Sequence, residues 1–123
     1  MKILIADDES DIRVLVRFIL ERQGFEVVEA SNGIEAVTVA RQELPDLILL
    51  DVRMPGMTGN EVSQHLKETE ATKDIPVVFL SASSQASEVA EGLESGAVAY
   101  VTKPFSPREL VAQVGEILQK HRR

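Results

Sequence analysis

Four consecutive apolar residues, Leu47 to Leu50, lead directly into a single carboxylate, Asp51. The next five residues, Val52-Arg53-Met54-Pro55-Gly56, include the proline and glycine typical of a turn. An apolar run of this length beside a turn indicates a strand buried on both faces, as in a parallel sheet. Asp51 then lies where the strand leaves the core. Because a carboxylate is costly to desolvate, this position indicates a function, although an aspartate that merely ends a strand is the simpler alternative.

The amino-acid composition restricts the class of protein. The chain has 123 residues, 44% of them hydrophobic and 27% charged, which fits one globular domain. It has no cysteine, which excludes disulfides and thiolate chemistry and fits a reducing compartment. No apolar run approaches the roughly 20 residues of a membrane span. We expect one cytoplasmic domain over residues 1–123, with no membrane association and no effector domain in this chain.

The net charge of −7 bears on the possible partners. An acidic domain is repelled by phosphate backbones, so we expect no direct contact with nucleic acid. The acidity also suits a divalent-cation site, although a solvated acidic surface is the commoner cause of such a charge.

Hydrophobic periodicity predicts five strands that alternate with five helices. The predicted strands are 2–6, 25–29, 46–50, 75–80 and 97–101. The first helix has an apolar stripe of Leu15, Val16, Ile19 and Leu20, and the fourth carries Val89, Ala90 and Leu93. The second, third and last helices begin after the capping residues Asn32, Thr58 and Ser106. This alternation predicts an α/β fold: one doubly wound parallel sheet with helices on both faces.

Polar side chains follow four of these strands. Asp7 and Asp8 follow the first strand, and Asp51, Ser81 and Lys103 follow the third, fourth and fifth. Ligands of open α/β sheets bind at the carboxyl ends of the strands, so we expect these groups to converge. Three neighbouring carboxylates repel one another, and Mg²⁺ removes that repulsion. Each group also has a purely structural alternative. Asp7 and Asp8 could cap the first helix, Ser81 could be a turn hydroxyl, and Lys103 could be a surface lysine.

The ordered set resembles the receiver domain of bacterial two-component response regulators. The motifs that carry the resemblance are Asp7-Asp8, Asp51 with Met54-Pro55-Gly56, Ser81-Ala82 and Lys103-Pro104-Phe105. The resemblance covers essentially the whole chain and implies the flavodoxin-like strand order 2-1-3-4-5. It also implies a phosphorylation-controlled switch rather than an enzyme: its only reactions would be phosphotransfer to its own aspartate and autodephosphorylation.

The resemblance implies a metal-dependent phosphoacceptor site. Asp51 would accept a phosphoryl group from a histidine kinase, a phosphotransfer protein or a small phosphodonor. Mg²⁺ or Mn²⁺ would be bound by Asp8, by Asp51 and by the backbone carbonyl of Arg53, with Asp7 acting through water.

Further residues would respond to the phosphoryl group. Lys103 would pair with it, or with Asp51 before phosphorylation, and the Lys103–Pro104 peptide is usually cis in this family. Ser81 would donate a hydrogen bond to it, and the small Ala82 would leave room beside it. Tyr100 would move inward as Ser81 moves and so change the surface read by a downstream protein, which the sequence does not identify.

Two rival functions remain open. An aspartate-nucleophile phosphatase of the haloacid dehalogenase type needs a second aspartate two residues after the nucleophile, where this chain has Arg53. A degenerate receiver that binds partners without phosphate would usually lack an acid or the lysine, whereas this chain has all of them.

Apolar residues outside the stripe of the first helix, namely Ile12, Val14 and Phe18, predict a docking patch for a partner's helices. A helix buried over a broader arc is the alternative.

The face of the fourth helix, fifth strand and last helix resembles that of receivers in winged-helix transcription factors, which dimerise through alternating charges. Here the expected charges are absent: Val98 and Ala99 replace acids, Gln113 replaces an arginine, and the fourth helix has Glu88, Glu91 and Glu94 without a base. Such a helix would meet like charge in a dimer, so we predict a mostly monomeric unphosphorylated protein.

Overall fold

The computed structural model describes residues 1–81, 94 and 96–121, which contain five strands and four helices. The strands are β1 Lys2–Ala6, β2 Glu26–Ala30, β3 Leu47–Asp51, β4 Val77–Ser81 and β5 Ala99–Thr102. The helices are α1 Ser10–Glu21, α2 Gly33–Glu43, α3 Gly59–Glu68 and α4 Pro107–Lys120. The predicted helix with Val89, Ala90 and Leu93 lies outside the described residues, apart from the helical Glu94.

All five strands form one parallel sheet in the order β2-β1-β3-β4-β5, which confirms the predicted topology. The order places β1 and β3 side by side in the centre of the sheet. Their carboxyl ends, and the residues that follow them, are therefore neighbours.

The core consists of two layers, one on each face of the sheet. Strand residues alternate between the faces, as the pleat requires. Ile3, Ile5, Leu47, Leu49, Val78 and Leu80 pack with buried residues of α1 and α4. Leu4, Ala6, Ile48, Leu50, Val77 and Phe79 pack with buried residues of α2 and α3. Both faces are covered, which explains why β3 and β4 are buried along their whole length.

The predicted capping residues begin three of the helices. The side chains of Asn32, Thr58 and Ser106 accept hydrogen bonds from the backbone N–H groups of Glu35, Glu61 and Glu109. At Thr58 the glutamate side chain also accepts from the backbone N–H of the capping residue, which completes a capping box. These bonds satisfy helix N–H groups that have no partner within the helix.

The predicted stripe of α1 was wrong at one residue. Leu15 is 44% exposed, while Ile12, which the prediction left outside the stripe, is half-buried against the core. The buried face is centred on Val16 and includes Ile12, Ile19 and Leu20, which lie three or four residues from it. Leu15 directly precedes Val16, so it points about 100° away from the centre of that face.

Several predicted element ends were off by one or two residues, for identifiable reasons. Strand β3 begins at Leu47 because the Asp46 side chain accepts a hydrogen bond of 2.8 Å from the backbone N–H of Lys2. Strand β4 begins at Val77 because Pro76 has no N–H to donate to the ladder. Helix α3 ends at Glu68, since Thr69 has an extended backbone.

Among the described helices, none combines the length and the apolar character that a crossing of the bilayer requires.

Gly59, the first residue of α3, lies against the segment that carries Asp51. A Cβ added at Gly59 would lie 2.6 Å from the carbonyl oxygen of Asp51 and 2.9 Å from the Cα of Val52. The backbone N–H of Gly59 also donates to the carbonyl oxygen of Val52 at 2.8 Å. This close approach is possible only without a side chain, and it fixes the backbone that follows β3.

We predict that Gly59→Ala lowers the free energy of unfolding by about 2–3 kcal/mol, because the methyl group collides with backbone that cannot easily move. The matched control is Gly115→Ala. Gly115 is exposed within α4 and nothing lies within 4 Å of its added Cβ, so better helix propensity should stabilise the protein by about 0.5–1 kcal/mol. Urea denaturation measures both changes. Equal effects of the two substitutions would contradict the close approach.

Candidate functional site

Four acidic side chains come together where β1 and β3 end. Asp51 is the last residue of β3, and Asp7, Asp8 and Glu9 follow β1 directly. One carboxylate oxygen from each residue lies within 4.8 Å of the others. Asp7 and Asp51 are buried, whereas Asp8 and Glu9 are exposed. The group therefore has a buried floor and an open, solvent-facing side.

The backbone N–H and both carboxylate oxygens of Asp7 are hydrogen-bonded. Its backbone N–H donates to the carbonyl oxygen of Ala30 at 3.1 Å, which extends the β1–β2 ladder by one step. Its Oδ1 accepts the backbone N–H of Glu9 at 2.9 Å, and its Oδ2 accepts from Nζ of Lys103 at 2.8 Å. A fully buried carboxylate requires such partners, since unpaired it would be strongly destabilising.

Lys103 is the cation of the site and pairs with three acids. Its Nζ lies 2.8 Å from Asp7 Oδ2, 3.7 Å from Asp51 Oδ2 and 3.8 Å from Glu9 Oε1. The predicted ion pair with Asp51 is therefore present, but the shorter contact is with Asp7. Burial alone would lower the pKa of Lys103; the hydrogen bond to Asp7 and the attraction of the three carboxylates more than offset this and raise it.

The backbone at the end of the sheet positions the lysine. The backbone N–H of Lys103 donates to the carbonyl oxygen of Ser81 at 2.6 Å, and Ser81 pairs with Thr102 in the β4–β5 ladder. The Lys103–Pro104 peptide is cis, as the family resemblance implies.

The carboxyl group of Asp51 has an unusual affinity for protons. Burial, together with repulsion by the charge of Asp7, raises its pKa to about 7. The attraction of Lys103 and a 3.3 Å hydrogen bond from the backbone N–H of Arg53 act in the opposite direction but do not cancel the rise. Without a further cation, this site therefore does not fully compensate its own negative charge.

The donor set fits a hard divalent cation. Magnesium and manganese prefer oxygen ligands, and magnesium usually keeps several waters besides one or two carboxylates. Buried Asp51 and exposed Asp8 supply carboxylate oxygens at the boundary with solvent, where such waters can remain. Glu9 belongs to the same group and was missed by sequence reasoning, although it directly continues the run Asp7-Asp8.

The other predicted site residues lie nearby. Ser81 is buried at the end of β4. Tyr100 is half-buried and packs edge-on against Phe79, with ring centroids 6.3 Å apart. Its hydroxyl is buried without a hydrogen-bond partner among the described residues. Ala82 lies outside the described residues.

The raised pKa of Asp51 predicts a pH dependence of stability in metal-free protein. The folded-state pKa of about 7 exceeds the unfolded value of about 3.9. The native state therefore gains from the bound proton below the unfolded pKa, and this gain is lost as the pH rises through the folded pKa. Asp51→Asn imitates the protonated form, so it should be more stable than wild type by on the order of 1–3 kcal/mol at about pH 8.

Urea denaturation in EDTA, from about pH 5 to about pH 8, measures this difference, which should shrink as the pH falls. Asp74→Asn, which removes an exposed carboxylate between α3 and β4, is the control for the loss of one negative charge, and the trend of Asp51→Asn should exceed that of this control. A stability gain of Asp51→Asn that is the same at every pH would contradict the raised pKa.

Comparison with curated proteins finds relatives among bacterial transcriptional regulators. The chain is 45% identical over 119 residues to the phosphate regulon transcriptional regulatory protein PhoB of Escherichia coli (strain K12). It is 43% identical over 119 residues to the transcriptional regulatory protein ResD of Bacillus subtilis (strain 168). Each alignment covers 97% of this chain, but 52% of PhoB and 48% of ResD, so the chain spans about half the length of these relatives.

Solved structures agree over the whole fold. A putative response regulator from Chloroflexus aurantiacus superposes with a TM-score of 0.92 at 35% identity, over 96% of this chain and 97% of that one. The chemotaxis response regulator CheY4 of Vibrio cholerae superposes with a TM-score of 0.90 at 33% identity, over 94% and 97%. The family model for the response regulator receiver domain matches residues 3–115. With the acidic cluster, the lysine and the strand order described above, the chain belongs to the response regulator receiver domain family.

Proposed function

We propose that this receiver domain accepts a phosphoryl group on Asp51 in a reaction that depends on Mg²⁺ or Mn²⁺, and that the modification changes its output face. One observation carries the proposal: the Asp51 carboxylate lies within 4.8 Å of three other acidic groups and 3.7 Å from the ammonium of Lys103. A nucleophile, a set of metal ligands and a cation for the phosphoryl oxygens thus meet at one sheet edge. Phosphoryl transfer requires such positioning and charge neutralisation.

In the proposed reaction an oxygen of Asp51 attacks phosphorus. The new O–P bond forms as the bond from phosphorus to the donor breaks, and the donor leaves as a histidine side chain or as the anion of a small phosphodonor. Asp51 must be ionised to attack, and its pKa of about 7 means that the metal-free site resists ionisation. A divalent cation held by Asp8, by Asp51 and by the carbonyl of Arg53, with Asp7 acting through water, would supply positive charge at the attacking carboxylate and the phosphoryl oxygens.

Lys103 and Ser81 complete the proposed site. Lys103 Nζ is 3.7 Å from Asp51 Oδ2, so a small movement away from Asp7 brings it to a phosphoryl oxygen. Ser81 is at the end of the neighbouring strand, where its hydroxyl can donate to another oxygen. Phosphorylation adds about −1.5 to −2 charges, which such donors can bind in competition with their present partners.

Tyr100 is the proposed reporter of that change. Its ring is half-buried, and no described residue holds its hydroxyl by a hydrogen bond. A movement of Ser81 on the adjacent strand would change the space available to this ring. We propose that the downstream protein reads the resulting surface.

The rival functions receive less support. Arg53 occupies the position where a phosphatase of the haloacid dehalogenase type needs its second aspartate. A degenerate receiver would lack part of the constellation, whereas Asp7, Asp8, Asp51 and Lys103 are all present and close together. Receiver domains in general act as switches rather than enzymes, and we propose no reaction on other substrates.

The acceptor assignment predicts the behaviour of Asp51→Asn. With acetyl phosphate and Mg²⁺, this variant should form no phosphoprotein, because the amide is not a nucleophile of comparable strength. Asp74→Asn changes the same chemical group at an exposed site and should be phosphorylated like wild type. Intact-protein mass spectrometry measures the product.

Metal dependence has its own readout. Beryllofluoride, which imitates an aspartyl phosphate, should bind wild type only when Mg²⁺ is present. Binding without any divalent cation, or normal phosphorylation of Asp51→Asn, would refute the proposed chemistry. A wild-type protein that binds neither Mg²⁺ nor beryllofluoride would be a degenerate receiver.

We further propose that α1 binds the helices of a histidine kinase or phosphotransfer protein. Val14, Leu15 and Phe18 form an exposed apolar patch on α1, with 65%, 44% and 57% of their surfaces accessible. Beside it lies a groove of about 570 Å³ between α1 and α4, lined by Leu15, Phe18, Arg22, Pro107, Arg108 and Val111. An apolar patch on a helix that begins at the acidic site suits a partner that must deliver a phosphoryl group there.

Phe18→Glu should therefore reduce phosphotransfer from a phosphorylated histidine kinase about tenfold or more, because a charge replaces an aromatic side chain that the bound kinase would bury. Phosphorylation by acetyl phosphate should be unchanged, since that donor needs no docking. The control is Leu44→Glu at the end of α2, which is exposed to a similar degree but lies outside the patch. Equal loss with both donors would place the defect in the site or in folding rather than in docking.

Two further proposals concern nucleic-acid binding and the oligomeric state. The acidic domain is expected not to contact nucleic acid directly, and its output is expected to pass through another protein surface. It is also expected to be mostly monomeric before phosphorylation. Glu88 and Glu91, on which the monomer prediction depends, lie outside the described residues, while Glu94 and Gln113 are exposed.

A further inference from the structure

We propose that Arg13 is a positioning residue for the metal site, and that Glu29 orients it. This inference rests on the proposed function, because it concerns how the chain prepares Asp7 and Asp8 to bind a divalent cation. Neither side chain belongs to the acidic cluster of Asp7, Asp8, Glu9 and Asp51. Arg13 acts through the backbone that carries the cluster, and Glu29 acts by orienting Arg13.

The Arg13 guanidinium contacts both the backbone of the acidic run and strand β2. Its Nη1 donates to the carbonyl oxygen of Asp7 at 2.6 Å. Its Nε donates to Oε1 of Glu29, on strand β2, at 3.1 Å. The side chain is only 18% exposed, so these bonds are partly shielded from water. One planar group thus ties the edge strand to the residue that begins the acidic run.

Glu29 is itself fixed by a second arginine. Its Oε2 accepts from Nη1 of Arg17 at 2.6 Å, and Arg17 also donates to Glu21 at 3.3 Å. Both oxygens of Glu29 are therefore engaged, which limits the directions in which Arg13 can point. Arg41, an exposed arginine of α2 whose guanidinium donates to Thr69 Oγ1 at 3.4 Å, offers a matched control.

The carbonyl of Asp7 is a sensitive point in the chain. It shares a rigid peptide plane with the N–H of Asp8, so fixing this oxygen fixes the direction in which the chain enters Asp8. Arg13 also lies one helical turn after Glu9, to whose carbonyl its own backbone N–H donates at 3.2 Å. Arg13 therefore holds both ends of the short segment from which three of the four acidic groups project.

A simple electrostatic effect of the arginine would give a different pattern. A positive charge near four acids favours their ionised forms and competes with a metal ion, so removing it would leave metal binding unchanged or tighter. Positioning predicts the reverse, because a loosened Asp7–Asp8 peptide disperses the ligands. Lysine keeps the charge but cannot bind the carbonyl and Glu29 through one rigid fork.

The test is a Mg²⁺ titration of the full chain, in which the amide NMR shifts of Asp8 and Glu9 report binding. Arg13→Gln should weaken Mg²⁺ binding about 10–100-fold, the range found when groups that orient metal ligands are removed. Arg13→Lys should weaken Mg²⁺ binding less, and Glu29→Gln should weaken it about as much as Arg13→Lys does. The control Arg41→Gln should change it less than about twofold. Before any metal is added, hydrogen exchange of the Glu9 amide, which donates to Asp7 Oδ1, should be faster in Arg13→Gln than in Arg41→Gln.

The outcomes separate the inference from the proposed function. If wild type binds no Mg²⁺, the proposed function fails. If wild type binds and Arg13→Gln binds equally well or better, the positioning role is overturned. Full retention in Arg13→Lys with loss in Arg13→Gln would show that the rigid guanidinium fork is not required, and it would overturn the positioning role as well. Should Arg13→Gln not fold, as judged by thermal unfolding, the comparison of Arg13→Lys and Glu29→Gln with Arg41→Gln decides the question.

Discussion

Repulsion between carboxylates at the end of a buried sheet is the constraint around which this domain is built. Asp7 and Asp51 are taken out of water on adjacent central strands, and a pKa of about 7 for Asp51 reflects the cost. Lys103, which is delivered by the edge strand β5, relieves part of that repulsion through its 2.8 Å contact with Asp7. The three residues come from distant parts of the chain, and only the strand order 2-1-3-4-5 brings them together. The fold and the site are therefore aspects of one arrangement. The sheet brings the carboxylates together, and the ion pair with Lys103 offsets part of their repulsion.

Most of the architecture could be predicted from local signals. The apolar run that ends at Asp51 fixed the central strand, because a strand covered on both faces has no polar positions. Capping residues such as Asn32, Thr58 and Ser106 marked helix starts because their side chains satisfy N–H groups that the helix leaves free. The strand order came from the family resemblance rather than from periodicity. The candidate site followed from that order, since carboxyl ends of parallel strands lie at one edge.

The remainder depended on contacts that no local pattern encodes. Leu15 was placed in the buried stripe because seven apolar residues in α1 permit several faces, and only packing against the sheet selects one. The preference of Lys103 for Asp7 over Asp51 is set by less than an ångström of three-dimensional geometry. Glu9 was visible in the run of acids, but its membership of the cluster depends on the turn made before α1. The bond from Arg13 to a backbone carbonyl leaves no trace in the sequence.

Helix α1 divides its surface among unrelated tasks. Ile12, Val16, Ile19 and Leu20 anchor it to the core, Arg13 and Arg17 reach toward β2, and Val14, Leu15 and Phe18 remain in contact with solvent. If the proposed functions hold, the exposed face of Val14, Leu15 and Phe18 alone determines which partner binds. Signalling pathways that arise by gene duplication must acquire separate partners while keeping the same chemistry. In this helix such divergence can proceed through three side chains, without altering either the packing of the domain or the reactivity of its acidic cluster.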